Sequence, residues 1–538
     1  MFAVAIPPAL REGIVLGLWD GHDAGVAIAL DGQLLCALSE ERISRRKRAC
    51  GFPYQSLQAA LADCGLQPSD VGLVVVPGRW GRLGHRLADS LYRRHRGGRD
   101  PLSASSVLVR CLECGVARLP GIRAVEAGSS RTVLKGRLRR LGLGAAVLGV
   151  EHHTAHAACA RLVAGPGAVV VTMDGYGDGL AGTISYPDGQ LQQLRAPENS
   201  VALVYGAVTR LLGFAEGDEG KVMGLAACGD PEPGRSFFAA VLRPGRCDPA
   251  LGGRAGRQLL ASLSREDVAA ALQQRTEEVV LELLAPAIAA GAPLALAGGL
   301  FANVSLNGRL LREGCVPSVF PHMGDGGLCV GAIAAVVPEL DWPLPFLGPF
   351  YGEERMEAAL RGAGLQVERP QQPEELLAAE IVRGALVARV VGRSEFGPRA
   401  LGHRSILLRA DQPELALALG RKLRRDEFMP FAPVRRSGAG SSTMTICVDA
   451  DQELRSRCPA AVHVDRTVRT QLVDEAADPG LWSLLARVEQ HGHPALINTS
   501  FNLHGEPIVE TPEDAVHSFL AAELDVLQMG PFVVRRTA

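Results

Sequence analysis

No run of about 18 uninterrupted apolar residues, the length that spans a bilayer, occurs in the 538 residues. A membrane-spanning helix is therefore not expected. The start of the chain lacks a long apolar h-region with a cleavage site, so the expected location is cytoplasmic. Excess charge is also missing: 56 Lys and Arg stand against 58 Asp and Glu, a net charge of −2. So balanced a chain has no global field to steer nucleic acid or a membrane surface. The basic runs at 42–48 and 92–96 are read as solvated faces. The Cys-x-x-Cys pair at Cys111 and Cys114 has no second pair to complete a thiolate zinc site. The 12 cysteines are otherwise scattered, as suits a reducing compartment.

What is present is ordinary globular material, 47% hydrophobic and 21% charged. The length predicts two or three domains. Residues 15–19 read as a strand, Asp20-Gly21-His22-Asp23 as a turn, and 25–30 as a second strand. Asp31-Gly32 makes a hairpin turn into 34–38. The pattern recurs with a strand at 168–173, an acidic glycine turn from Asp174 to Gly179, a strand at 180–186 and Asp188-Gly189. Two such units predict a duplicated α/β domain. Glycine turns follow at Gly298-Gly299 and Gly324-Asp325-Gly326-Gly327, each before a helical stretch, where backbone N–H groups favour phosphate. Four prolines at 338–349 mark a linker. Beyond it, helices at 353–362 and 373–384 and a strand at 386–391 predict a second α/β domain of mixed strand order.

His152 and His156 are four apart in an alanine-rich helical segment, which puts both imidazoles on one face. They read either as a metal pair or as packed helix histidines. Asp174 and Asp325, each in a glycine turn of the same domain, would complete a nitrogen and oxygen donor set. Such a set suits iron(II) foremost, with manganese or zinc as alternatives. His22, in the first acidic turn, has no partner at metal spacing and reads as structural or as a general base. Lys221, in Glu219-Gly220-Lys221-Val222-Met223-Gly224, reads as a phosphate contact or a loop residue. In the second domain, Arg399, Arg404, Lys422, Arg425, Asn498 and Ser500 cluster in turn-rich stretches. They form either an anion site or a solvated basic face.

Taken in order, seven blocks resemble the NodU/CmcH-type O-carbamoyltransferases, which include the tobramycin, cephamycin and nodulation-factor enzymes. The blocks are Gly21-His22-Asp23-Ala24 with Glu40-Glu41-Arg42; the histidine block from His152; the Lys221 block; Gly298-Gly299 with Asn303; 396–404; 430–433; and Thr499-Ser500-Phe501-Asn502 with Gly505-Glu506-Pro507.

The resemblance implies a ribonuclease-H-like (ASKHA, TsaD-like) transfer domain over 1–342 and a YrdC-like domain over 343–538. It implies that the latter makes carbamoyl-adenylate from carbamoyl phosphate and Mg-ATP, releasing phosphate and pyrophosphate. The former would then pass the carbamoyl group to a hydroxyl of a natural product or sugar. By the same resemblance His152, His156, Asp174 and Asp325 match metal ligands, and His22 and Lys47 match transfer-site positions. Lys221, Gly298, Gly299 and Asn303 match the nucleotide side, and a homodimer is the family expectation. One departure stands out. Aligned on Pro430, Leu423 and Met429 replace two basic residues of many relatives. The alternatives are threonylcarbamoyl-type transfer, a sugar-kinase-like phosphotransfer, and a nucleotide-binding protein with degraded adenylation.

Overall fold

Apolar runs bounded by glycine and aspartate turns become strands throughout the computed structural model, which describes residues 13–78, 132–424 and 431–536. Ile14–Trp19, Gly25–Leu30 and Gln33–Ser39 are adjacent strands of a five-stranded sheet. Val71–Pro77 and Ala146–Val150 continue it on the other side of Ile14–Trp19, both running parallel to it. A second five-stranded sheet starts from Val169–Gly177, with Leu180–Ser185 and then Leu191–Arg195 antiparallel on one side. Leu294–Ala297 and Pro317–Val319 lie parallel on the other. In both sheets the spatial order is third, second, first, fourth, fifth. The expected duplication is thus present in strand order as well as in the turns.

The helices between these strands carry the packing. The helix Leu328–Ala334 lies against the helix His152–Leu162, and glycine makes the approach close. A Cβ at Gly331 would stand 2.2 Å from the Ala155 carbonyl oxygen and 2.7 Å from Cys159 Sγ. The 25-residue helix Arg265–Ala289, capped by the Ser264 hydroxyl, packs against neighbouring helices and shares one large core with the second sheet, including Val171, Ile184, Val204, Leu272, Val280 and Leu296.

An eight-stranded mixed sheet forms the second architecture. Its order is Val367–Glu368, Phe532–Arg535, Val526–Met529, Val387–Val390, Arg404–Arg409, Leu496–Ser500, Ala432–Arg435 and Gln471–Leu472. Its central strands are apolar on both faces because helices cover both, and successive side chains point opposite ways. Val387, Leu407, Leu496 and Val526 enter one core with Leu377, Leu481 and Leu485. Ala388, Ile406, Leu408, Ile497 and Leu527 enter the other with Met356, Leu419 and Phe519.

The described residues divide into two compact units. One takes those up to Trp19, Val26–Leu35, and those from Gly65 to Trp342; the other takes Asp20–Gly25, Cys36–Cys64 and those from Pro343 onward. A division at 342 alone puts residues 20–25 and 36–64 in the first domain, whereas by contacts they belong with the second. The cause is visible in the basic run at 42–48. Arg42 is 3% exposed and donates to the Glu395 and Gly397 carbonyls. Arg45 donates to the Pro507 and Ile508 carbonyls. These two arginines fasten the segment to loops of the C-terminal half and are not on a solvated face. Among the described residues no helix is long and apolar enough to cross a membrane.

Candidate functional site

The helix His152–Leu162 starts at the end of a strand, and its first N–H, that of His152, donates to the Asp178 carboxylate at 2.8 Å. The helical repeat brings the His152 and His156 rings edge to face, with their Nε2 atoms 3.1 Å apart. Asp174, on the strand Val169–Gly177, brings Oδ2 to 3.4 Å from His152 Nε2 and 3.3 Å from His156 Nε2. Asp325, in the short turn before the helix Leu328–Ala334, brings Oδ1 to 3.5 and 3.4 Å from the same atoms. All four donor atoms lie within 4.8 Å of one another.

Donors held at about 2.0–2.2 Å from one ion in a tetrahedron are spaced about 3.3–3.6 Å apart. Five of the donor pairs here have nearly that spacing. Two carboxylates and two imidazoles facing one point also form an electrostatic arrangement that a divalent cation completes. The donor set therefore fits a metal. The site is built to be rigid, since His152 is 4% and His156 0% exposed. A Cβ at Gly177 would overlap the His152 ring at 2.2 Å.

Burial opposes the ionisation of Asp174, but hydrogen bonds from His152 and His156 outweigh it and hold the carboxyl well below the usual range. The neighbouring His153 is a different kind of residue. Burial, with His152 and His156 beside it, lowers it well below the ordinary histidine value, so the ring is neutral. Its Nε2 faces the Leu180 carbonyl at 3.2 Å, which can only accept, so Nδ1 accepts from the Thr172 hydroxyl at 2.9 Å. That orientation turns His153 away from the donor cluster.

The glycine turn at Gly298-Gly299 borders the same cluster. A Cβ at Gly299 would lie 3.0 Å from Asp174 Oδ1, and Gly298 holds φ +104° with its would-be Cβ 2.2 Å from the Met173 carbonyl oxygen. Asn303 is occupied structurally. Its side chain accepts from Leu306 N–H, capping the helix Val304–Arg312, and exchanges two hydrogen bonds with Gln273. Lys221 sits on the helix Glu219–Ala226 and faces Asp218 at 3.5 Å. His22 and Lys47 belong to the second unit, as described above.

In that second unit the expected basic residues part company. Arg399 lies beside Arg469, and burial first, then the Arg469 charge, push it well below the ordinary arginine range. Its Nε has no hydrogen-bond partner among the described residues. Asn498 is 2% exposed; its amide donates to the Ala400 carbonyl at 3.0 Å, while its Oδ1 has no hydrogen-bond partner among the described residues. Two adjacent half-buried guanidinium groups are an arrangement that suits an anionic ligand. Arg469 was not legible in sequence, because it lies in no glycine turn and in no family block.

Arg404, grouped with these residues on sequence, is placed otherwise. It is fully buried, with its guanidinium given to the carbonyls of Val391, Gly392, His403 and Glu510. Lys422 turns to Glu523, donating to its carbonyl at 2.9 Å. Ser500 lies on the strand Leu496–Ser500 opposite Ser405. Arg425 and Met429 lie outside the described residues. Leu423 is fully buried in the core, so the position where many relatives carry a base is an apolar packing position here.

The carbamoyltransferase N-terminus model matches residues 14–243 and 252–335, and the carbamoyltransferase C-terminus model matches 378–536. The nodulation protein NolNO of Sinorhizobium fredii is 31% identical over 96% of this chain and 79% of its own length. The nodulation protein NolO of Bradyrhizobium diazoefficiens is 34% identical over 72% of this chain and 79% of its own. A 3'-hydroxymethylcephem-O-carbamoyltransferase of Streptomyces clavuligerus is 29% identical over 60% of this chain and 65% of its own. With both family models covering most of its length, the chain is an enzyme of the NodU/CmcH-type carbamoyltransferase family.

Proposed function

We propose that this carbamoyltransferase forms carbamoyl-adenylate from carbamoyl phosphate and Mg-ATP and transfers the carbamoyl group to a hydroxyl of a small natural-product or sugar acceptor. The observation that carries the reading is the four-donor cluster of His152, His156, Asp174 and Asp325, bordered by the Gly298-Gly299 turn. The relative named for a hydroxymethyl acceptor supports oxygen as the atom carbamoylated. The same four residues would hold iron(II), with manganese or zinc as alternatives. A divalent ion there supplies electrostatic stabilisation to a carbonyl or phosphate oxygen as charge develops.

The protein's own groups do the rest in this reading. Arg399 and Arg469, with Asn498, hold the anionic reactants of adenylation. Transfer needs a base for the acceptor hydroxyl and a cation for the departing phosphate, roles we assign to His22 and Lys47. Arg404 acts in this scheme by holding the strand that begins with it, not by touching phosphate. The buried Leu423 favours a second reading, a nucleotide-binding protein in which adenylation is degraded.

One experiment separates the two. Purified protein is incubated with ATP, carbamoyl phosphate, magnesium and iron(II), and pyrophosphate is measured. Release that requires carbamoyl phosphate is the expected result. ATP binding with no such release would favour the degraded enzyme.

A further inference from the structure

Cys36 and Cys64 come together far from each other in sequence. Cys36 is on the strand Gln33–Ser39 and is fully buried. Cys64 follows the helix Tyr54–Asp63 as its C-cap and is half-buried. Both are thiols, and their sulfurs lie within 4.8 Å of each other and of an Asp63 carboxylate oxygen. We infer that Cys36 and Cys64 are an oxidisable dithiol, with the less buried Cys64 meeting peroxide first and the fully buried Cys36 the resolving thiol that closes a disulfide. Neither cysteine enters the carbamoyl chemistry proposed above, and the inference does not rest on it.

Two thiols and a carboxylate also resemble three corners of a metal site, but Asp63 is already engaged. Its Oδ2 accepts from Arg393 at 2.6 Å and its Oδ1 from the Phe350 N–H at 2.9 Å. A metal would also need both sulfurs as thiolates. The Cys64 hydrogen bond and burial raise the Cys36 thiol well above its ordinary value. The same hydrogen bond, now accepted by Cys64, lowers Cys64 against its partial burial, with Arg393 helping. The shared hydrogen bond thus favours ionisation at Cys64 and holds the proton on Cys36, the division of labour that oxidation to a disulfide uses.

The geometry allows closure. A disulfide of about 2.05 Å requires the sulfurs to approach by at most about 2.8 Å, within reach of side-chain rotation. The atoms balance with hydrogen peroxide as oxidant. The Cys64 thiolate attacks one peroxide oxygen and the O–O bond breaks, giving a sulfenic acid and hydroxide. Cys36 sulfur then attacks the Cys64 sulfur, and the sulfenic oxygen leaves as water with the Cys36 proton. The hydroxide of the first step takes back the proton that Cys64 gave to solvent on ionising. Cys159 and Cys329 show what a non-reactive pair looks like in the same protein. Each is buried and donates to a backbone carbonyl, and burial pushes the Cys329 thiol up to about 12. A closed Cys36–Cys64 bridge would tie residues 37–63 into a loop, and Lys47 lies within it.

The test uses the full-length protein, reduced, stripped of free metal, treated with hydrogen peroxide and then alkylated and mapped. The expected product joins the peptides bearing Cys36 and Cys64, with both thiols lost to alkylation and both recovered by dithiothreitol. Cys36→Ser should leave Cys64 as a sulfenic acid that dimedone traps. Cys64→Ser should leave Cys36 unoxidised. Alkylation of both residues under conditions that oxidise the exposed Cys50 would overturn the inference, as would a bridge from Cys64 to Cys50. So would stoichiometric zinc binding by the untreated protein that Cys36→Ser abolishes. If a variant fails to fold, the map of the unsubstituted protein decides alone.

Discussion

Asp174 and Asp325 reach one point from two elements, a strand and a turn, and face imidazoles that a third element supplies. No one of the four can be replaced by a neighbour, because His153 is turned to Thr172 and Leu180. His156→Ala should therefore lower bound iron or manganese by more than the 10- to 100-fold, roughly, that losing an outer partner of a ligand costs. Metal analysis of the purified variant checks this, and retained stoichiometric metal would remove His156 from the centre. A second residue-scale prediction concerns Asp478, bound by the Arg389 guanidinium at 2.7 and 3.0 Å in the buried interior. Burial raises its pKa, but Arg389 outweighs that and leaves the net value below the usual range. Such a group stabilises the fold above its unfolded value, about 3.9, and that stability is lost as pH falls through the folded value. Asp478→Ala should cost about 3–5 kcal/mol at neutral pH, because Arg389 is left buried and unpaired. It should also flatten the acid limb of the unfolding curve. Denaturant titrations at pH 7 and below pH 4, roughly the ordinary aspartate range, test both parts.

At the scale of elements, the helix Leu328–Ala334 sets where Asp325 stands, and Gly331 sets how near that helix comes to His152–Leu162. Gly331→Ala should push the two helices apart, cost about 1–3 kcal/mol as overpacking does, and weaken metal binding although residue 331 is not a ligand. Gly362→Ala, where a Cβ would meet nothing within 4 Å, is the control and should leave metal content unchanged. Calorimetry with metal analysis on both variants separates position from general instability. These elements were largely legible beforehand. The hairpin turns Asp31-Gly32 and Asp188-Gly189 and the i, i+4 histidines carry local signals, and the structure has strands and a helix there. Arg469 and Arg42 were not legible, because their roles come from partners distant in sequence. Arg469 meets Arg399 and Arg42 meets Glu395. Arg404 was misread for the same reason. A basic residue in a turn-rich block looks like an anion contact until the carbonyls it fastens are seen. Leu423 marked a departure from relatives, yet only its burial shows that the position packs in the core.

At the scale of the whole molecule, the groups proposed for the two steps are shared between two compact units, and the transfer residues His22 and Lys47 lie in the same unit as the adenylation residues. The four-donor cluster lies in one compact unit, and Arg399, Arg469 and Asn498 lie in the other. If adenylation belongs to the second unit, its products should form without the metal ligands. Asp174→Asn should then retain carbamoyl phosphate-dependent pyrophosphate release within about threefold, while transfer to any accepted hydroxyl falls by at least about 100-fold, as for an electrostatic group acting on the transition state. Arg469→Ala should lose pyrophosphate release, and transfer with it, while metal content stays intact. Measuring pyrophosphate, carbamoylated product and metal on both variants separates the two steps, since only Asp174→Asn should keep pyrophosphate release. Loss of pyrophosphate release in Asp174→Asn, with folding unchanged, would mean that one site performs both steps, and the assignment of adenylation to the arginine pair would fall.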